Sequence, residues 1–207
     1  MTKIKLCGLS RQCDIAVANM LRPAYIGFVF APKSRRYVTP ETAAQLRAQL
    51  HPHISAVGVF VNETPEAVAA LLHQGIIDIA QLHGNEDENY LQALRQLTEK
   101  PIIQAFQIGT PQDVAAAQNS CADYILLDAG GGTGTVFDWH LIRDVKRPFF
   151  LAGGLNAENV KTAVQTIAPY AVDVSSGIET NGQKDPKKMK QFVLAVHSAD
   201  EFLLQSR

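Results

Sequence analysis

An α/β fold, a single (β/α)8 TIM barrel of eight parallel strands, follows from three features of the sequence. Short apolar runs alternate eight times with helix-length segments, the pattern of parallel strands joined by right-handed crossovers. The repeat is about 25 residues long, which suits a closed barrel needing about 200 residues in all. No composition break or long linker interrupts the 207 residues, so residues 1–207 read as one domain.

The elements follow in order. Ile4–Cys7 is a strand closed by Gly8, and its alternation puts Ile4 and Leu6 on one side, Lys5 and Cys7 on the other. Asp14–Leu21 reads as a helix stopped before Pro23. Tyr25–Phe30 is a second buried strand, followed by the basic loop Ala31–Tyr37. Thr39-Pro40-Glu41 sets an N-cap residue, a first-turn proline and an acidic first turn ahead of a helix to Leu50. Thr64-Pro65-Glu66 repeats that start after strand three, Ala56–Val61, and Thr110-Pro111 after strand five, Ile102–Phe106. Strand four, Ile79–Leu82, ends in His83-Gly84 and precedes a helix from Glu86 to Leu97. Strand six, Tyr124–Leu127, ends at Asp128. The run Gly130–Gly134 separates it from a helix expected near Trp139. Asp185-Pro186 opens a last helix to about His197, and the tail after about residue 198 is expected to be partly disordered.

Strands seven and eight, Phe149–Ala152 and Ala171–Val174, bracket an amphipathic helix over Ala157–Ala168. Each strand gives way to small residues, Gly153-Gly154 and Ser175-Ser176-Gly177. Small residues let backbone N–H groups approach an anion, and a helix N-terminus adds favourable dipole charge. The pattern favours a phosphate cradle shared by two adjacent strand ends over two ordinary tight turns.

In a closed barrel the chemistry lies at the carboxyl ends of the strands. Those ends carry Cys7, His83, Asp128 and the Arg35-Arg36 loop. Cys7 is either a small buried hydrophobe or a reactive thiol; an inward Lys5 on the same face favours its thiolate. Asp128 closes an apolar run and is either a helix N-cap or a functional carboxyl; the next helix starts some ten residues later, which weakens the capping reading. A carboxyl on an apolar shelf can act as a general acid. Asp173 has the parity of an inward carboxylate and pairs with Lys5 in this reading. His83 either meets ligand or bonds within its loop. Arg35 and Arg36 either grip a carboxylate or phosphate or are merely solvated. Cys13 and Cys121 read as structural, and His51-Pro52-His53 as solvated loop rather than metal site. The Gly130–Gly134 run matches neither GxGxxG nor the P-loop, and reads as a lid over the carboxyl face.

Bulk properties narrow the classes. The net charge of −1 and the absence of a basic block argue against nucleic acid as partner. No run approaches the roughly 20 apolar residues of a membrane span, and no signal-peptide core precedes the first strand. Three scattered cysteines without CxxC spacing argue against a disulfide framework or a metal site, and make a reducing cytoplasm the default.

Taken together, the strand-end motifs resemble the phosphoribosylanthranilate isomerase family of tryptophan biosynthesis. They are Lys5-Leu6-Cys7-Gly8, Gly27-Phe28-Val29-Phe30 with Ser34 and Arg36-Tyr37, Val57–Val61, Gln81-Leu82-His83-Gly84, Leu126-Leu127-Asp128 with Phe137-Asp138-Trp139, Ala152–Leu155 and Asp173–Glu179. The match runs from Lys3 to about Phe192. Arg22-Pro23-Ala24-Tyr25 departs from it, standing where the family often has Gly-Ala-Asp, and the loop after Asp128 is on the short side. The resemblance implies an Amadori rearrangement without metal or other cofactor, with Cys7 as base and Asp128 as acid. It implies substrate binding by Arg36, His83 and Gln81, phosphate binding by Gly153, Gly154, Ser176 and Gly177, and a monomer or homodimer. Rival readings are a related sugar-phosphate isomerase or lyase, and a non-catalytic phosphate-binding barrel. A histidine-pathway isomerase is expected to use two carboxylates where this chain offers Cys7 and Asp128.

Overall fold

The computed structural model describes residues 1–128 and 139–205. Eight parallel strands close in sequential order: β1 (Lys3–Cys7), β2 (Tyr25–Val29), β3 (Ser55–Phe60), β4 (Ile79–Leu82), β5 (Ile102–Gln107), β6 (Tyr124–Asp128), β7 (Phe149–Ala152) and β8 (Ala171–Val174). Closure is made by β8 against β1, with Lys5 opposite Asp173 and Leu6 opposite Val174. Helices α1 (Gln12–Leu21), α2 (Pro40–Arg47), α3 (Pro65–His73), α4 (Glu88–Leu97), α5 (Pro111–Asn119), α6 (Val160–Ile167) and α7 (Pro186–Gln205) follow the strands in turn.

Strand parity separates two cores. Ile4, Leu6, Ile26 and Phe28 point outward into the layer between strands and helices. Tyr25, Val57, Ile79, Ile103, Leu126 and Phe150 fill the barrel interior, with Cys7, Val29 and Val59 packed as a separate cluster. Burial of both faces is what makes these strands near-continuous apolar runs.

Every Thr-Pro start is a working cap. Thr39, Thr64 and Thr110 accept from the backbone N–H groups of Thr42, Ala67 and Asp113. Each hydroxyl satisfies a donor the first helical turn leaves unpaired.

Three expectations are corrected. The segment at Trp139 is a short 3-10 helix, Trp139–Ile142, not an α-helix. The helix after β7 begins at Val160, because Asn156 and Asn159 hold the preceding residues in a turn: Asn159 Oδ1 accepts from the Asn156 N–H at 2.9 Å. The last helix reaches Gln205, well past His197; Ala199 is buried in the core and Asp200 accepts from the N–H and hydroxyl of Thr2 at 2.7 and 2.8 Å. The Gly130–Gly134 run, read as a lid, lies outside the described residues.

Candidate active site

The carboxyl ends of the strands surround a cavity of about 500 Å³. Cys7, Arg36, Gln81, His83, Asp128, Gly153, Gly154 and Ser176 all line it, although the sequence spreads them from β1 to the segment after β8. Gly177 does not. A Cβ on Gly177 would lie 2.0 Å from the Leu155 carbonyl oxygen, so glycine here lets the loops after β7 and β8 touch.

Cys7 is buried, and the neighbouring strand makes room for its sulfur: a Cβ at Gly27 would lie 2.7 Å from Sγ. Behind it, the fully buried Lys5 donates to both carboxylate oxygens of Asp173 at 3.0 Å. Burial pushes Lys5 toward the neutral form, but Asp173 and Cys7 outweigh it and hold the ammonium charged. For Cys7 the balance falls the other way. Burial raises its pKa, Lys5 opposes this, and Asp173 raises it again, so the net shift is upward. Lys5 thus favours the thiolate, as its shared face with Cys7 suggests, but burial works against it more strongly.

Asp128 ends β6 at the cavity wall. His83 Nε2 lies 3.4 Å from Asp128 Oδ2, and His83 Nδ1 lies 3.1 Å from Gln81 Nε2. Gln81 is buried, and its Oε1 has no hydrogen-bond partner among the described residues. These three residues form a line that ends at the carboxyl group, so His83 bridges rather than standing alone.

Arg36 lines the cavity and Arg35 does not. Both reach Glu179, just beyond the 3-10 turn Ser176–Ile178 that follows β8. Gly153 and Gly154, the expected phosphate-binding pair, take backbone conformations suited to glycine, with φ of +95° and +63°. Asn159 Nδ2 donates to the Gly154 carbonyl at 3.0 Å and pins that loop. Cys13 and Cys121, read as structural, are exposed.

Among the described residues no group of three or more His, Cys, Asp or Glu side chains is placed to hold a metal ion, and no helix is long and apolar enough to cross a membrane.

The family model for N-(5'-phosphoribosyl)anthranilate isomerase matches residues 4–195. A relative of that name from Acetivibrio thermocellus is 45% identical, the match covering 97% of this chain and 98% of the relative. The chain belongs to the phosphoribosylanthranilate isomerase family. The phosphoribosylanthranilate isomerase of Thermotoga maritima is similar in structure, with a TM-score of 0.88 and 37% identity over 96% of this chain and 100% of that one. A crystal structure of a family member in complex with reduced 1-(o-carboxyphenylamino)-1-deoxyribulose 5-phosphate has a TM-score of 0.86 at 36% identity, covering 96% and 100% of the two chains. Membership in phosphoribosylanthranilate isomerase makes the chain an enzyme of the isomerase class, in tryptophan biosynthesis.

Sequence reasoning assigned no role to Glu179 or Lys184. Glu179 was within reach, since a carboxylate just past a strand-end Ser-Ser-Gly run stands at the functional face. Lys184 gave no signal, because a small hairpin of β9 (Glu179–Thr180) and β10 (Gln183–Lys184) folds it back onto Ser175.

Proposed function

We propose that Cys7 and Asp128 catalyse the Amadori rearrangement of N-(5'-phosphoribosyl)anthranilate to 1-(2-carboxyphenylamino)-1-deoxyribulose 5-phosphate. The observation that carries this reading is the single cavity lined by Cys7, Asp128, Arg36 and the cradle Gly153, Gly154 and Ser176. It supplies an acid, a base and two anion grips, which the substrate's ring oxygen, C2 proton, carboxylate and phosphate require.

The cradle holds the phosphate through backbone amides, with Gly177 setting the closeness of its two loops. Arg36 holds the anthranilate carboxylate. Asp128 donates a proton to the furanose ring oxygen. The C1–O bond breaks as the nitrogen lone pair forms an iminium. Cys7, as thiolate, takes the proton from C2, and the electrons of that C–H bond neutralise the iminium to give an enolamine. Tautomerisation of the enol delivers the ketone. The iminium carries positive charge next to C2, so it stabilises a thiolate that burial disfavours. His83, backed by Gln81, orients the Asp128 carboxyl toward the ring oxygen. Proton transfers so placed typically contribute about 10²–10⁴-fold each.

The test is turnover. Freshly generated phosphoribosylanthranilate added to the purified protein should lose its fluorescence at a rate proportional to enzyme. No turnover by a folded protein would leave the non-catalytic phosphate-binding barrel as the reading. Turnover of a histidine-pathway aminoaldose in its place would shift the assignment to the related isomerase.

A further inference from the structure

Beside the active cavity lies a second cleft of about 450 Å³, whose walls include Arg11, Arg35, Arg36, Glu179 and Lys184. Arg36 lines both, and Glu179 holds it from the side of the second cleft. Glu179 is 8% exposed, yet three cations from two separate segments converge on it. Its Oε1 accepts from Arg36 Nε at 2.6 Å and Lys184 Nζ at 2.7 Å. Its Oε2 accepts from Arg36 Nη2 at 3.0 Å and Arg35 Nη2 at 2.9 Å. Burial raises the pKa of this carboxyl, but the Arg36 and Lys184 hydrogen bonds and charges outweigh it and bring it down to about 2.

The bond pattern on Arg36 is directional. Glu179 takes the Nε–Nη2 side edge, which leaves the Nη1–Nη2 end of the fork available to a second planar anion. The arginine stem is confined as well: Gly8 passes so close that a Cβ there would lie 2.5 Å from Arg36 Cδ. One carboxylate against three cations also leaves this cluster positive, so an anionic substrate is attracted even with Glu179 ionised. The same residue ties the far loop down. Lys184 Nζ donates to the Ser175 carbonyl at 2.9 Å, and the Ser175 hydroxyl donates to the Cys7 carbonyl at 3.2 Å.

We propose that Glu179 is a positioning residue for substrate binding: it holds the side edge of Arg36 so that the open end of the guanidinium is presented to the substrate carboxylate. This rests on the reading of Arg36 given above. Glu179 touches no substrate itself and acts on KM rather than on the proton transfers.

The experiment is steady-state kinetics with phosphoribosylanthranilate on Glu179→Gln, Glu179→Asp, Arg36→Ala and the double variant Glu179→Gln/Arg36→Ala. Glu179→Gln should raise KM about tenfold with kcat within about threefold, and Glu179→Asp, which keeps the charge, should recover part of that loss. In the double variant KM should match that of Arg36→Ala alone, because a residue acting through Arg36 has nothing left to act on. Additive losses in the double variant, or a wild-type KM in Glu179→Gln while Arg36→Ala is impaired, overturn the positioning role and leave the Arg36 reading standing. A wild-type KM in Arg36→Ala overturns that reading instead. If Glu179→Gln does not fold, Glu179→Asp decides: a raised KM at unchanged kcat supports the proposal, and a wild-type KM overturns it.

Discussion

Lys5 Nζ sits 3.0 Å from each carboxylate oxygen of Asp173, in a buried pair whose lysine also interacts with Cys7. Two strands adjacent only through closure, β1 and β8, supply its members. A charged pair so buried is expensive to form and more expensive to break, since either partner alone is an uncompensated charge. Its two members pull the Cys7 thiol in opposite directions: burial raises the thiol's pKa most, Lys5 lowers it and Asp173 raises it again.

Asp173→Asn separates the two effects. Stability should fall by about 3 kcal/mol or more, as expected for leaving a buried ammonium unpaired. The Cys7 thiol should titrate at lower pH, because one raising influence is removed and Lys5 is released to a single remaining partner. Urea denaturation reads the first. The pH dependence of Cys7 alkylation, in a background lacking Cys13 and Cys121, reads the second. A midpoint that stays put or rises would show that Asp173 does not govern the thiol.

Cys7→Ser and Asp128→Asn should each lower kcat about 10²–10⁴-fold while changing KM much less, since both groups act chiefly in the transition state. In the unmodified enzyme kcat/KM should climb with pH toward the raised pKa of Cys7, because only the thiolate takes the C2 proton. Near-normal kcat in either variant removes that residue from the mechanism.

The line from Gln81 through His83 to Asp128 makes a separate claim. Gln81→Leu removes an amide whose Oε1 has no hydrogen bond among the described residues, so the loss of stability should be small. If Gln81 acts by orienting His83, kcat should drop about tenfold with KM within about twofold, a pattern typical of an interaction felt at the barrier. A KM increase with unchanged kcat would return Gln81 to direct substrate contact.

Arg22 bears on stability alone. It terminates α1 in the left-handed region, with φ of 50° and ψ of 52°, where its N–H bonds the Ala18 carbonyl. That conformation costs a side chain about 1 kcal/mol or more, and glycine adopts it freely. Arg22→Gly should raise unfolding free energy by about 0.5–1 kcal/mol with kinetics unchanged. Guanidinium melts of the two proteins give the answer, and a lower midpoint in the variant would refute it.

Local features carried the fold. The Thr-Pro starts at Thr39, Thr64 and Thr110 are short-range capping chemistry, legible because donor and acceptor lie three residues apart. The inward facing of Lys5 and Cys7 followed from the two-residue period of a strand, and the placing of His83 and Asp128 from strand ends in a closed barrel. The start of α6 and the end of α7 were misjudged, because asparagine turns and the Thr2–Asp200 contact decide them, not periodicity.

By itself the sequence determined an eightfold strand-and-helix alternation, the sites where its strands end, and motifs specific enough to point to one family of isomerases. The tertiary structure alone decided that His83 faces Asp128, that Glu179 gathers Arg35, Arg36 and Lys184, and that burial outweighs Lys5 at the Cys7 thiol. Those outcomes depend on groups brought together from different strands and loops, or on the sum of burial and several opposing charges. Neither spacing nor residue type encodes such sums; they exist only once the ring of strands has closed.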